Sequence, residues 1–189
     1  VQAVTHCAAC HSPRNGLGAL GGGQRLEGGL MPHEGWTAPS LLDSREAGVQ
    51  HWPVSDVVRL LQTGSTEAGA TAAGPMADAV FWSTQYLADS DARAVALYLQ
   101  SLPDAAQAVP LRHVAEAASP SIAPSAANPR AAGLYRAHCA ACHGEQGQGQ
   151  AGAYPPLAGN RAVVRADVGN LLRSVLHGGY GLSTAGQPA

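Results

Sequence analysis

Apolar residues recur at helical spacing in three stretches of the chain. Val57, Leu60 and Leu61 share one face of a helix expected from about residue 55 to 63, with Ser55 as N-cap, Asp56 in the first turn and Gly64 at the C′ position. Val95, Tyr98, Leu99 and Leu102 stand at i, i+3, i+4 and i+7. A helix capped by Asp89 or Ser90 should carry them to about Leu102, where Pro103 ends it. Val168, Leu171, Leu172, Val175 and Leu176 line one side of a helix from about residue 167 to 177, stopped by Gly178-Gly179. A fourth helix, bearing Leu134 and Tyr135, is signalled by Asn128-Pro129, an N-cap followed by proline at the first helical position. The pattern predicts an all-α fold.

The intervening stretches divide the chain. Residues 1–11 read as the last turns of a helix whose start is expected to lie upstream. Residues 12–38 are glycine-rich and read as loop. No Gly-Lys-Ser/Thr follows, so a phosphate-binding loop is not indicated. Residues 103 to 129 hold prolines 103, 110, 120, 124 and 129 among Ala and Ser, the composition of a stiffened linker. The expected organisation is therefore a unit over 1–103, a Pro/Ala-rich linker over 104–127 and a second unit over 128–189. Each unit is small enough for its core to be marginal, and only nine residues of the chain are Phe, Trp or Tyr.

Charge narrows the function classes. A net charge of -2 offers no footing for nucleic acid. All eleven basic residues are arginine, so the chain has no lysine-rich docking face, and a fixed place in a larger assembly is expected. No apolar run reaches the length of a membrane span, and the six residues before the first cysteine carry no signal peptide, which is expected to reflect processing or an incomplete chain.

The chemistry lies in a repeat. Thr5-His6-Cys7-Ala8-Ala9-Cys10-His11 returns as Ala137-His138-Cys139-Ala140-Ala141-Cys142-His143, and the two copies consume all four cysteines. Cys-x-x-Cys-His is the spacing of c-type haem attachment: two thiols one helical turn apart form thioethers, and the next histidine faces the iron. Two covalent haems follow, with His11 and His143 as iron ligands. A four-cysteine zinc site or a redox dithiol would use the same thiols but leaves both histidines unexplained. Covalent haem attachment takes place outside the cytoplasm, which implies a bacterial periplasm.

Further landmarks recur in the same order. Pro39-x-Leu41 corresponds to Pro155-x-Leu157, and residues 57–64 correspond to residues 171–178. The order Cys-x-x-Cys-His, Pro-x-Leu, helix, Met, helix resembles the class I cytochrome c fold, so the chain reads as two tandem domains of that kind. By that resemblance the carbonyls of Pro39 and Pro155 accept hydrogen bonds from His11 and His143. Met76 completes the first iron site, since Met31 precedes Pro39 and falls at the wrong place in the family's chain order. Twelve residues separate Gly64 from Met76, and twelve beyond Gly178 is position 190, one past the chain. The second domain is thus expected to continue to a ligand of its own; His177, whose counterpart is Thr63, is not expected to replace it. Arg14, Trp36, Trp52, Asn160 and Arg161 are guesses at haem-propionate partners.

Over nearly its whole length the sequence resembles the multihaem cytochrome c subunits of bacterial membrane-associated dehydrogenases acting on alcohols, aldehydes and gluconate. His6-Cys7-Ala8-Ala9-Cys10-His11-Ser12-Pro13-Arg14-Asn15, Gly74-Pro75-Met76, residues 83–87 and 98–103, and Tyr154-Pro155-Pro156-Leu157-Ala158-Gly159-Asn160 carry the resemblance. It implies an electron-transfer subunit rather than an enzyme. Single electrons would pass from a dehydrogenase catalytic subunit, in some complexes joined by an iron-sulfur subunit, to quinone or a terminal oxidase. It also implies a third haem in the intact polypeptide and a location at the periplasmic face of the inner membrane. The contrasting expectation is a dihaem enzyme, of peroxidase or thiosulfate-oxidising type, with an open second iron.

Overall fold

Residues 5–20, 25–31, 34–108, 128–150 and 153–178 are described by a computed structural model of the chain. The first copy of the repeat forms helix α1 (Cys7–His11), entered through His6 in the left-handed region at φ 49°. The helix expected over residues 1–11 is therefore seen only from Cys7 on, its first four residues lying outside the described ones.

The glycine-rich stretch corrects the all-α expectation. It contains β1 (Gly29–Met31) and β2 (Trp36–Ala38), paired antiparallel with Leu30 opposite Thr37. Met31 is buried in this ribbon. Gly29 lets the ribbon approach α1, since a Cβ there would lie 2.5 Å from the Ser12 carbonyl oxygen.

Helix α2 (Val54–Thr63) starts at Val54, and Ser55 does not cap it. The Pro53 carbonyl accepts the first free N–H groups, from Asp56 and Val57, which leaves Ser55 inside the first turn. Gly64 closes the helix at φ 78° with its N–H on the Leu60 carbonyl, the left-handed exit that glycine adopts without strain. Helix α3 (Pro75–Trp82) and a 3-10 turn (Thr84–Tyr86) lead to α4 (Asp89–Gln100). Neither Asp89 nor Ser90 caps α4; Ala88 holds that position. Asp89 instead accepts a hydrogen bond from Gln62 Nε2 at 2.9 Å, tying α4 to α2.

Helices α2 and α4 pack together, and Val57, Leu61, Val95, Ala96 and Leu99 form the core between them with Val49. Tyr98, expected on this face, is exposed; Ala92 and Ala96 are fully buried in its place, because small side chains let the helix lie close. After Pro103 the chain makes one more helical turn, α5 (Ala105–Ala108). The linker expected over 104–127 lies outside the described residues from 109 on.

In the second half Asn128 caps α6 (Pro129–His138), its Oδ1 accepting from the Ala131 N–H at 3.1 Å. Helix α7 (Ala140–His143) carries the second repeat, followed by α8 (Arg161–Val164) and α9 (Gly169–His177). Helix α9 starts two residues later than expected because Asp167 Oδ1 takes the Gly169 N–H. It also corresponds poorly to α2 in burial. Val57 and Leu61 are buried, whereas Val168, Leu172, Val175 and Leu176 are exposed, Leu176 to 74%. Helix α9 meets the first half through its polar residues instead: Asn170 pairs with the Thr37 backbone, and Arg173 donates to the Glu34 carbonyl at 2.7 Å. No described helix is long and apolar enough to cross a membrane.

Candidate functional site

Each repeat ends in a histidine held in the same way. His11 donates its Nδ1–H to the Pro39 carbonyl at 2.7 Å, and His143 donates to the Pro155 carbonyl at 2.9 Å. A carbonyl only accepts, so the hydrogen bond fixes the proton on Nδ1 and leaves the Nε2 lone pair free in both rings. His11 is buried and Ser12 beside it almost wholly so. Burial lowers the His11 pKa below the ordinary imidazole value, the Pro39 carbonyl works against that, and the Arg165 charge adds to it. The neutral ring, the form that binds iron, is therefore favoured.

The local backbone explains how the prolines reach the rings. In the first half the Gly28 N–H bonds to the His11 carbonyl and the Leu41 N–H to the Leu26 carbonyl, so residues 26–28 tie the chain just after Pro39 back to α1. In the second half the Gly149 N–H bonds to the His143 carbonyl at 2.7 Å. Gly149 sits at φ +71°, and a Cβ there would meet the Pro156 nitrogen at 2.6 Å; only glycine permits that approach. The Tyr154 ring stands edge-on to His143 with centroids 6.2 Å apart, and Tyr135 donates to the Gly144 carbonyl at 2.7 Å.

Cys7 and Cys139 are half-buried and Cys10 and Cys142 exposed, and none is in a disulfide. Desolvation and the nearby Glu34 raise the Cys10 thiol, Arg14 opposing them. Among the described residues no group of three or more His, Cys, Asp or Glu gathers as around a metal ion, so the two cysteine pairs stand as separate units. The donor set fits haem c: two reachable thiols and an imidazole with Nε2 free, twice. Haem c held there would supply a one-electron couple.

Met76 is the second residue of α3, half-buried against the α2–α4 core. His177 lies exposed at the end of α9. The propionate guesses have other partners. Arg14 donates to the Gly18 and Ala9 carbonyls. Asn160 caps α8 and donates to the Gly69 and Pro156 carbonyls. Arg161 donates to the Gly48 carbonyl at 2.8 Å and lies 5.0 Å over the Trp52 ring. Arg173 lies 5.7 Å over the Trp36 ring. Asn160, Arg161 and Arg173 join the halves, a role the sequence does not signal because their partners Gly69, Gly48 and Glu34 are about ninety or more residues away. Ser40 and Glu46 stand behind Pro39 with no motif to signal them, and Arg165 joins them from 119 residues away.

Residues 130–187 match the cytochrome c family model. These residues form a domain of the cytochrome c family. The chain is 38% identical over 92% of its length to the cytochrome c subunit of the quinone alcohol dehydrogenase of Gluconacetobacter polyoxogenes, covering 38% of that protein. It is 36% identical over 94% of its length to the fructose dehydrogenase cytochrome subunit of Gluconobacter japonicus, covering 39% of it. The gluconate 2-dehydrogenase cytochrome c subunit of Pantoea cypripedii is 32% identical over the whole chain, which covers 44% of that subunit. The chain thus spans less than half the length of these relatives.

Proposed function

We propose that this chain is the electron-relay part of a dehydrogenase complex rather than its catalyst. Two c-type haems, one on Cys7, Cys10 and His11 and one on Cys139, Cys142 and His143, would take single electrons from a catalytic subunit and pass them to quinone or a terminal oxidase. The observation that carries this reading is the paired histidine geometry: each ring is tied at Nδ1 to a proline carbonyl and free at Nε2. Second-shell ties of this kind orient a ligating imidazole and raise its basicity.

The units over 1–103 and 128–189 would form tandem class I domains joined by the linker. Met76 would be a second protein ligand of the first iron, and ligation by Met with His would raise the potential relative to two histidines. The location is periplasmic. The similarity to dehydrogenase cytochrome subunits supports the partner class and the relay role.

The test is a pyridine haemochrome of the haem-loaded chain followed by anaerobic mixing with a dehydrogenase catalytic subunit and its substrate. Two c haems per chain, both reduced within turnover, are expected. No haem, or haems that stay oxidised, overturn the proposal. Peroxide consumption at the second haem would replace it with the dihaem enzyme.

A further inference from the structure

The peptide that holds His11 is itself held. Pro39 supplies the carbonyl and Ser40 the N–H of one amide group. The carbonyl accepts from His11 Nδ1 at 2.7 Å, and the N–H donates to Glu46 Oε2 at 2.7 Å. A carboxylate on the N–H side draws the amide's electrons towards its oxygen, and hydrogen bonds in series strengthen one another. The hydrogen bond to His11 becomes stronger, and the ring gains electron density at Nε2.

The same Glu46 oxygen is met from the second half by Arg165 Nη2 at 3.3 Å. The Arg165 side chain is only 9% exposed, and its Nε is buried without a hydrogen-bond partner among the described residues. Glu46 therefore compensates a nearly buried cation, and the cation withdraws part of what the carboxylate gives to the amide.

We propose that Glu46, acting through the Pro39–Ser40 peptide, sets the electron affinity of the iron bound by His11, and that Arg165 in the second half sets how strongly it does so. The device is confined to one copy. Pro155 is followed by Pro156, which has no N–H, so the amide behind His143 cannot be polarised in this way. Two sites with the same motif are thereby made unequal, which a relay needs if electrons are to run in one direction. Glu46 and Arg165 are positioning residues that touch no thiol or ligand.

The inference rests on His11 being an iron ligand. It is tested in the haem-loaded full chain by spectroelectrochemical titration of wild type, Glu46→Gln, Arg165→Gln and the double variant, with the second haem as internal reference. Glu46→Gln keeps the acceptor and removes the charge. It should favour reduction of the His11 haem by about tenfold, which is about 59 mV for one electron, and move the His11 Nδ1–H resonance of the ferrous protein upfield. Arg165→Gln should shift both in the opposite direction, and by less than half as much when Glu46 is already Gln. Unchanged potential and resonance in Glu46→Gln with full haem content overturn the proposal. An Arg165→Gln shift of equal size in both backgrounds overturns the coupling. If Glu46→Gln does not load haem, Arg165→Gln alone decides by the sign of its shift. A wild-type chain that binds no haem at His11 fails the underlying reading instead.

Discussion

Asn170 of α9 pairs with Thr37 of β2 through both atoms of its side-chain amide: the Thr37 N–H donates to Oδ1 at 2.9 Å, and Nδ2 donates to the Thr37 carbonyl at 2.7 Å. One side chain thus occupies the outer edge of the two-stranded ribbon as a third strand would. Asn170→Ala removes both bonds and leaves two backbone groups to water, so the haem-loaded chain should lose about 1–3 kcal/mol in denaturant unfolding. Amide exchange at Thr37 should rise with it. An unchanged midpoint would show that the halves are held elsewhere.

Met76 separates packing from ligation. Met76→Leu conserves its volume against the α2–α4 core, so stability should fall by less than about 1.5 kcal/mol. The loss of the sulfur should lower the potential of the His11 haem and open it to carbon monoxide. A variant with wild-type potential would remove Met76 from the iron.

Gly74, two residues before Met76, stands at φ +54°, and a Cβ there would lie 2.8 Å from the Trp36 ring. Gly74→Ala is strained twice, by conformation and by contact. It should displace the start of α3 and open the same haem to carbon monoxide even though Met76 is intact. Gly16→Ala, at a position with open space around it, is the matched control and should leave carbon monoxide binding unchanged.

Asp104 links stability to pH. Desolvation opposes its charge, but hydrogen bonds from Ser44, the Ala106 N–H and His51 hold its carboxyl well below the usual carboxylate range. A depressed folded pKa contributes stability above the unfolded value near 3.8, and that contribution is lost as pH falls below it. Tm should drop between about pH 5 and about pH 2, and Asp104→Asn should flatten the drop. A variant curve parallel to wild type would show that other carboxylates control acid unfolding.

The haem motifs, the Asn128 cap and the Gly64 exit were legible because each depends on residues within a few positions of one another. Val57 and Leu61 of α2 and Val95 and Leu99 of α4 were legible in the core from period alone. The two-stranded ribbon was not, since Gly29–Met31 and Trp36–Ala38 are too short to alternate visibly and are stabilised by contact with α1 and α9. Tyr98 has the right spacing for the core, yet Ala92 and Ala96 take the buried face.

Sharper still is the contrast between α2 and α9, which share an apolar pattern. Val57 and Leu61 are buried, while Leu172 and Val175 face outwards, because α9 is fastened to the first half by Asn170 and Arg173. Local spacing sufficed to put two thiols and an imidazole together at each repeat, since these are neighbours in the chain. The tie of Arg165 to Glu46 came from folding. Glu46 reaches the Ser40 N–H from six residues along the chain, but Arg165 lies 119 residues from Glu46, and only the packing of one half on the other brings it to the amide behind His11.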